Sequence, residues 1–278
     1  MTQTADLAST HRDALTAALD PKESGNGRFT VQPWDVGVGR VPGATLLGIS
    51  VVVAERRFPG RSVQSLQVVF PRGGQLDGPL EIAVDPVQEG RSLTTAQVVF
   101  SQRGREHCRA LAMLGPQEPD YLRHTTEPPA GLPAPDACQA FSDLRLPWET
   151  VTEGGANAFV GAAGRPAALN IWLRHKDAPD SASASRTLLA HAMETFVVPP
   201  ALLPHDPHER ERRGGDGTRV VLSQSVSFHE YFSLRDWVLL RAENVHSGHS
   251  RLHTRLQAFA DGRLVASSSA DGLLRAAR

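Results

Sequence analysis

The chain has 278 residues, a formal net charge of -1 and a sequence pI near 6.8. A near-neutral chain lacks the long-range positive field that captures nucleic acid, and no stretch approaches the ~18 consecutive apolar residues of a membrane span. We therefore predict a cytoplasmic protein that binds neither nucleic acid nor membrane. Its length suffices for two domains that each bury a core, and its two cysteines, Cys108 and Cys138, are expected to be reduced thiols.

The first part of the chain predicts one buried helix followed by an antiparallel meander. Residues 42–57 begin with Pro-Gly, carry no charge until the last turn and end on two arginines, which favours a helix although the β-branched residues also suit a strand. A short helix is predicted over residues 11–19. Strands are expected over residues 28–38, with an interruption near Pro33, and over residues 62–71, 79–88, 92–102 and 105–114.

The second part of the chain repeats this order after a proline-rich linker at residues 115–140, which contains no sustained period. Beyond the linker, the sequence predicts a strand at residues 170–174, a helix at residues 186–198 that is capped by Ser181 to Ser185, a solvated charged loop at residues 205–213, and strands at residues 219–229, 236–246, 249–260 and 263–271. We therefore divide the chain into residues 1–27 (N-terminal extension), 28–114 (first domain), 115–140 (linker) and 141–278 (second domain).

An internal duplication supports this division. Residues 63–112 align with residues 221–270 at a constant offset of 158 without an insertion, and the identical pairs include Gly90/Gly248 and Gly104/Gly262. The register therefore matches strand to strand and turn to turn, as in a duplicated β-meander. We expect the two segments to superpose through a rotation near two-fold, with Gly90 and Gly248 in equivalent turns.

Several short motifs are spread over roughly residues 28–275: Val41-Pro42-Gly43-Ala44, Phe70-Pro71-Arg72, Glu89-Gly90-Arg91-Ser92, Ile171-Trp172-Leu173-Arg174, Pro200-Ala201-Leu202-Leu203-Pro204-His205, Phe228-His229, Asp236-Trp237 and Asp261-Gly262-Arg263-Leu264-Val265-Ala266-Ser267. Together these motifs resemble those of the type II acyl-CoA thioesterases and their thioesterase-like relatives. The resemblance implies an α+β double hotdog, in which two tandem copies of a helix are each wrapped by an antiparallel sheet and the sheets join edge to edge. It further implies hydrolysis of an acyl-CoA or acyl-carrier thioester by water, and a homo-oligomer of double hotdogs remains open.

The resemblance also implies where polar site residues are expected. Family members place an Asp on the second helix, a Thr or Ser on the repeated strand and a Gln near the C-terminus. The aligned positions here hold Glu194, Val221 and Ala270, so the carboxylate is kept and the other two polar groups are absent. The glycine pair expected at the start of the first helix is reduced to Gly43 followed by Ala44.

The residues themselves make Glu194 the candidate base. It is the only formally charged side chain between Arg186 and His205, and burial in an apolar helix would raise its pKa toward the useful range. His191, three residues earlier, lies on nearly the same face and could orient Glu194 or pair with its charge. Alternatively, Glu194 and His191 mark the solvent-facing stripe of the helix.

Hydroxyl groups on the following strand are further candidates. Strict alternation puts Val221, Ser223, Ser225 and Ser227 on one face, where Ser223 and Ser225 could hold a water or a substrate carbonyl. A row of serines is equally typical of the wet face of an antiparallel sheet. Ser269 carries a similar hypothesis as a substrate-binding residue.

Gly43 completes the set of candidates, because the start of a helix presents backbone N–H groups that favour an oxyanion. The alternative is that Pro42-Gly43 only makes the turn into the helix.

A rival hypothesis is a metal site at His246, His249 and His253, since three imidazoles can hold Zn²⁺. These residues fall in a predicted turn and strand, where only His249 and His253 share a face. We therefore expect neither a metal ion nor a cofactor.

Two functions follow from these observations. The first is a thioesterase-type hydrolase with Glu194 as base and Ser223 or Ser225 as partial replacements for the absent groups. The second is a catalytically degenerate double hotdog that binds an acyl group as a scaffold or performs different acyl chemistry. Because residues 44–54 of the first helix carry no charge, we also expect a single carboxylate-containing pocket, at Glu194, and one acyl ligand per chain.

Overall fold

The computed structural model describes residues 15–277 except residues 18, 36 and 142–147. In these residues the chain forms one antiparallel sheet of thirteen strands in the order β1-β2-β4-β5-β6-β3-β10-β13-β12-β11-β9-β8-β7. The strands are β1 (Lys22–Gly25), β2 (Arg28–Val31), β3 (Ser62–Val69), β4 (Leu80–Glu89), β5 (Thr94–Gln102), β6 (Arg105–Gly115), β7 (Gln139–Ala140), β8 (Glu149–Thr152), β9 (Ala168–Arg174), β10 (Asp216–Phe228), β11 (Val238–Gly248), β12 (Arg251–Ala260) and β13 (Arg263–Ala276).

Two long helices, α1 (Gly43–Arg57) and α2 (Ala182–Thr195), pack against each other and against the inner face of the sheet. Pro42 is the N-cap of α1, and the last turn of α1 carries two arginines, as the sequence predicts. α2 begins after Ser181, whose Oγ accepts the N–H of Ala184 at 3.1 Å. Two short helices, α3 (Pro199–Leu202) and α4 (Pro207–Arg212), follow α2.

The two long helices run antiparallel and approach closely at Gly48. A Cβ atom at Gly48 would lie 3.1 Å from the carbonyl oxygen of Thr187 and 3.6 Å from Cβ of His191. The absence of a side chain at Gly48 therefore sets the distance between the helices. Because the contact is antiparallel, the N-terminus of each helix lies beside the C-terminal part of the other.

The duplication is visible in the hydrogen-bonded registers of the sheet. Strands β3 to β6 and β10 to β13 correspond residue by residue at the offset of 158. Three register shifts of the first copy, at Val63/Ser65, Pro86/Gln88 and Phe100/Ser101, recur in the second copy at Val221/Ser223, Asn244/His246 and Ala258/Phe259. Irregularities that repeat at one offset confirm the predicted strand-to-strand equivalence.

The two copies join edge to edge through β3 and β10. In this antiparallel pairing Gln67 lies opposite Ser225, which is its counterpart at the offset of 158. The strand order reads outward from this junction as β6-β5-β4 on one side and β13-β12-β11 on the other. A helix wrapped by sheet in each half and a joined sheet confirm the predicted double hotdog.

The equivalent hairpins differ in one turn. Arg103-Gly104 and Asp261-Gly262 both have positive φ, as a two-residue turn with right-handed strand twist requires. In the hairpin of Gly248, His249 and Ser250 also have positive φ, whereas the counterparts after Gly90 do not. Gly90 and Gly248 therefore occupy equivalent positions in turns of different geometry.

The predicted ends of several elements were wrong. α2 begins at Ala182 rather than 186 because Ser181 is the cap, while the Oγ of Ser185 is buried and accepts the N–H of Leu234 at 3.2 Å. The charged segment predicted as a loop contains the exposed helix α4, whose N-cap Asp206 accepts N–H groups of its first turn.

Smaller differences concern the N-terminal part and the sheet edges. Residues 15–17 are helical, while residues 11–14 and 18 of the helix predicted over residues 11–19 lie outside the described residues. The strand predicted over residues 28–38 ends at Val31, and β1, β7 and β8 were not predicted. These are short edge strands, whose sequences carry too few residues for a period.

Candidate active site

The carboxylate of Glu194, near the end of α2, lies at the N-terminal end of α1. It accepts the backbone N–H of Ala44, and a Cβ atom at Gly43 would lie 2.5 Å from its Oε1 and 3.2 Å from its Cδ. α1 has no side-chain cap of its own, because its N-cap is Pro42. The carboxylate of one helix thus occupies the space that a glycine leaves open at the start of the other.

Glu194 is only partly exposed, and the surrounding protein removes most water from its carboxylate. This desolvation raises the pKa of Glu194 to about 7, against the smaller effect of the Ala44 N–H, which lowers it. A carboxylate with such a pKa exchanges a proton near neutral pH, as a general base requires. Of the predicted site residues, the structure brings Glu194 and Gly43 together.

The site borders the strand that joins the two copies. Cε1 of Phe70 lies 3.6 Å from the position of a Cβ atom at Gly43, and the N–H of Phe70 donates to the carbonyl of Leu222 at 2.9 Å. The start of α1, the end of β3 and the bulged part of β10 therefore meet beside Glu194.

A β-bulge in β10 changes which residues face the helices. Val221 lies opposite Gly272 and Ser223 lies opposite Asp271, so that Leu222 is the extra residue. Val221 consequently packs against the hydrophobic core, on the same face as the buried Gln224. The prediction from strict alternation, which placed Val221 with the serines, was wrong because it ignored this insertion.

The predicted hydroxyl residues Ser223, Ser225 and Ser269 lie on the outer face of the sheet, away from Glu194. Ser225 Oγ is 2.9 Å from Ser269 Oγ, and Ser223 Oγ donates to Asp271 at 3.4 Å. Ser225 and Ser269 line a groove of about 360 Å³ together with the outward side chains Arg241, Glu243, Arg255 and Gln257. The structure does not join these serines to the carboxylate, because alternate residues of β10 point outward.

His191 is also separated from the chemistry proposed for it. Its ring is buried and meets the ring of Trp148 edge to face, with centroids 4.9 Å apart. Burial lowers the pKa of His191 to about 3, so the imidazole is neutral at physiological pH and cannot pair with the charge of Glu194. Within the described part of the chain, neither of its ring nitrogens has a hydrogen-bond partner. The alternative of a solvent-facing stripe is excluded for His191.

Gln224 is a buried polar residue of β10 that was not among the predicted site residues. Its Nε2 donates to Ser268 Oγ at 2.9 Å, and its Oε1 has no hydrogen-bond partner among the described residues. Gln224 lies opposite Ala270, which lies opposite Thr254, and the hydroxyl of Thr254 donates to the carbonyl of Val197. This row crosses the inner face of the sheet toward the end of α2, so Gln224 supplies an amide on the site's side. A glutamine among apolar residues of a strand was the available signal.

The first helix also carries a carboxylate, contrary to the expectation from residues 44–54. Glu55 is the thirteenth residue of α1, as Glu194 is the thirteenth residue of α2. It forms an ion pair with Arg186, whose Nε lies 2.8 Å from Glu55 Oε1. The uncharged segment on which the expectation was based, residues 44–54, ends one residue before Glu55.

The remaining candidate features lie elsewhere. His246 and His253 are opposite each other in β11 and β12, and His253 Nδ1 lies 2.8 Å from Asp271 Oδ1. No three metal-ligating side chains come together in the described residues.

A cavity of about 470 Å³ lies between the linker and β9 and includes Cys138 and Trp172 in its lining. Both cysteines are free thiols.

The architecture and the paired helix ends define a double-hotdog protein in which the desolvated Glu194 carboxylate lies at the N-terminus of α1. Two family models match the chain: the acyl-CoA thioesterase N-terminal domain over residues 30–115, and the acyl-CoA thioesterase C-terminal domain over residues 118–273. The chain belongs to the acyl-CoA thioesterase family, and it is a thioesterase-like protein of the thioester hydrolase class. These matches do not favour the alternative of a degenerate scaffold.

Solved structures show the same fold. The chain is 23% identical to an acyl-CoA thioesterase II, TesB2, from Mycobacterium marinum, with a TM-score of 0.78 and coverage of 95% of this chain and 97% of that chain. It is 21% identical to a TesB protein from Mycobacterium avium subspecies paratuberculosis, also with a TM-score of 0.78, over 95% and 99% of the two chains. A hot dog fold protein from Alicyclobacillus acidocaldarius is 18% identical, with a TM-score of 0.75 over 95% and 99%.

Among the described residues, none of the helices has the length and apolar character needed to cross a bilayer.

Proposed function

We propose that this protein hydrolyses an acyl thioester by a water molecule that Glu194 activates. The observation that carries the proposal is the desolvated Glu194 carboxylate over Gly43, at the N-terminus of α1. A base of pKa about 7 and a helix N-terminus are the two components that attack on a carbonyl requires, one to accept a proton and one to stabilise an oxyanion.

In the proposed reaction, the Glu194 carboxylate accepts a proton while the water oxygen bonds to the thioester carbonyl carbon. The negative charge that develops on the carbonyl oxygen is stabilised by N–H groups in the first turn of α1, which have no carbonyl partner within the helix. The C–S bond then breaks, and the departing thiolate takes the proton from Glu194. The products are a carboxylic acid and a free thiol, and Glu194 returns to its starting state.

We also propose the finer assignments that the family suggests. The thiol carrier is CoA, the acyl chain lies between the two halves of the molecule, and the protein acts in lipid metabolism in the cytoplasm. Assembly of several double hotdogs into a homo-oligomer is part of the same proposal. On the inner face of the sheet, Gln224 is the amide that we assign to positioning water or substrate, since Val221 and Ala270 are apolar and Ser223, Ser225 and Ser269 face outward.

The test is thiol release from a panel of acyl-CoA substrates of different chain lengths. Wild-type protein should release CoA from at least one of them, and Glu194→Gln should lose about 10²-fold or more of that rate, because the amide keeps the shape but cannot accept the proton. Glu118→Gln, at an exposed glutamate of the linker, is the matched control and should retain the wild-type rate. No thiol release above buffer from any substrate would contradict the proposed hydrolysis.

A further inference from the structure

Because the chain contains two copies, there are two equivalent places where the C-terminal end of one long helix meets the N-terminal end of the other. Glu194 of α2 lies at the start of α1, and Glu55 of α1 lies at the start of α2, where it contacts Arg186. Both carboxylates occupy the same position in their helices. The second place is therefore the pseudo-symmetric counterpart of the proposed active site.

The strand beside each carboxylate is also equivalent. The N–H of Val63 donates to Glu55 Oε1 at 2.9 Å, and Val63 is the counterpart of Val221 at the offset of 158. Val63 and Val221 both precede a bulge of the same register. The similarity of the two places thus includes the sheet as well as the helices.

The two places differ in what holds the carboxylate. Glu194 has the N–H of Ala44, whereas Glu55 has the guanidinium of Arg186, and both side chains of this ion pair are nearly inaccessible, at 12% for Arg186 and 8% for Glu55. Arg186 also donates to Ser62 Oγ at 3.2 Å, which fixes its orientation. A carboxylate held by a buried guanidinium has its charge neutralised.

The start of the neighbouring helix differs as well. α1 has no side-chain cap, and the N–H of Ala44 in its first turn donates to Glu194, but α2 has the side chain of Ser181 as its cap. Arg186 is the fifth residue of α2, and the fifth residue of α1 is Leu47. The helix pair therefore accommodates a leucine at this helix position in the half of the molecule where Glu194 meets α1.

We propose that Arg186 silences a second acyl-thioester site, centred on Glu55, which shares with the site at Glu194 the position of the carboxylate in its helix and the bulged strand of its copy. The inference rests on the proposed function for the class of ligand, an acyl thioester. The ion pair removes the base and fills the space at the start of α2, so that the wild-type chain uses one of its two pseudo-equivalent sites. Replacing Arg186 by the residue of the active half opens the second site.

The experiment counts sites and measures rate in the full-length chain. An alkyl-CoA thioether, which cannot be hydrolysed, should bind once per wild-type chain and twice per Arg186→Leu chain. In the Glu194→Gln background, adding Arg186→Leu should raise thiol release about tenfold or more, since Glu55 becomes available as a base. Adding Glu55→Gln as a third change should remove this gain. Arg174→Leu, which breaks the ion pair of Arg174 with Glu149 outside the helix pair, is the control and should change neither readout.

The outcomes separate this inference from the proposed function. If wild-type protein hydrolyses acyl-CoA but folded Arg186→Leu binds one thioether and adds no rate, the silenced site is wrong and the function stands. If wild-type protein releases no thiol, the proposed function fails, and the number of thioether molecules per chain decides the second site independently. Should Arg186→Leu not fold, Arg186→Gln removes the charge while keeping a hydrogen-bonding group for Glu55, and the same two outcomes apply.

Discussion

Two opposing effects act on the Glu194 carboxylate. The N–H of Ala44 and the helix start stabilise its charge, an effect of ~0.3–1 kcal/mol for an exposed group and up to ~2 kcal/mol in a partly buried one. Burial opposes them and prevails, because the pKa of Glu194 rises to about 7 from 4.5. At ~1.4 kcal/mol per pKa unit, the net effect is on the order of 3 kcal/mol. Burial of this carboxylate thus lowers the folding stability of the protein and gives a carboxylate that accepts protons at neutral pH.

The pH dependence of the rate should report this group. Glu194 accepts a proton from water only when it is ionised, so kcat/KM, which reports the free enzyme, should rise tenfold per pH unit below about 7 and level off above it. His191, with a pKa of about 3, should contribute no limb between pH 5 and 9. The measurement is kcat/KM for thiol release across this pH range. In the residual activity of the Glu194→Gln variant, the rise in rate with a midpoint at about pH 7 should be absent. If this rise persists, a group other than Glu194 causes it.

Gly43→Ala tests the contact between the helix start and the carboxylate. The added methyl group would lie 2.5 Å from Glu194 Oε1, and the side chain would have to leave its position. We expect kcat/KM to fall about 10²-fold, since a misplaced base loses much of its effect, while the thermal midpoint changes little. Gly78→Ala is the matched control, because nothing lies within 4 Å of a Cβ atom there. Equal activity of both variants would contradict the proposed geometry.

At the scale of elements, the helix pair depends on a close approach at Gly48. A glycine costs an isolated helix ~1 kcal/mol relative to alanine, and here it allows the carbonyl of Thr187 and the side chain of Leu19 to pack directly on α1. The contact holds both ends of the pair in register, at Glu194 with Gly43 and at Glu55 with Arg186. Helix packing therefore positions the site.

Gly48→Val should separate the helices. Its branched side chain would meet backbone and side-chain atoms at distances that begin at 2.9 Å, and overpacking of this kind destabilises by ~1–3 kcal/mol. We expect a lower midpoint in chemical denaturation together with a reduced rate, since the helix ends lose their register. Val52→Ala, which removes volume from α1 at a partly buried position, is the comparison and should lower stability with a smaller effect on rate. A Gly48→Val protein of full stability and rate would show that the approach is dispensable.

The bulges act at the same scale. In β10 the extra residue Leu222 turns Val221 inward, and in β3 the equivalent bulge follows Val63, whose N–H leaves the ladder and donates to Glu55. The same backbone irregularity therefore recurs in both copies, and in the first copy the N–H of the residue before it binds the helix carboxylate.

At the scale of the molecule, the halves depend on each other. Each copy covers its helix with its own sheet, but the helix pair and the β3–β10 junction belong to both, and the carboxylate of Glu194 lies at a helix of the other copy. The exposed part of the linker is residues 117–127, whereas Gly115 ends β6 and Gln139–Ala140 form β7 of the sheet.

A chain that is cut between residues 125 and 126 tests this dependence. The two fragments, when co-expressed, should co-purify as one complex with at least half of the intact rate, because no contact of the helix pair is lost. Either fragment alone would expose its long helix and an unpaired central strand, and it should be aggregated or unfolded and inactive. Circular dichroism, gel filtration and thiol release measure these outcomes. A stable, active C-terminal fragment would contradict the shared site.

The sequence by itself determined the two long helices, the strands of the two meanders and their repetition. The uncharged run after Pro42 and the alternating strands are local patterns, as are the Gly-containing turns, and a constant offset between residues 63–112 and 221–270 left one register for the whole meander. Local signals suffice here because helix periodicity, strand alternation and turn conformation each depend on a few consecutive residues.

Only the tertiary structure decided which residues form the site. The insertion of Leu222 moved Val221 to the inner face, although no local pattern marks it, and the serines predicted to help Glu194 went to the outer face. The contact of Glu194 with Gly43 joins residues that lie far apart in the chain, as does that of Glu55 with Arg186. Such pairs follow from the packing distance and antiparallel direction of the two helices. These depend on the burial of both helices in one sheet, which periodicity does not encode.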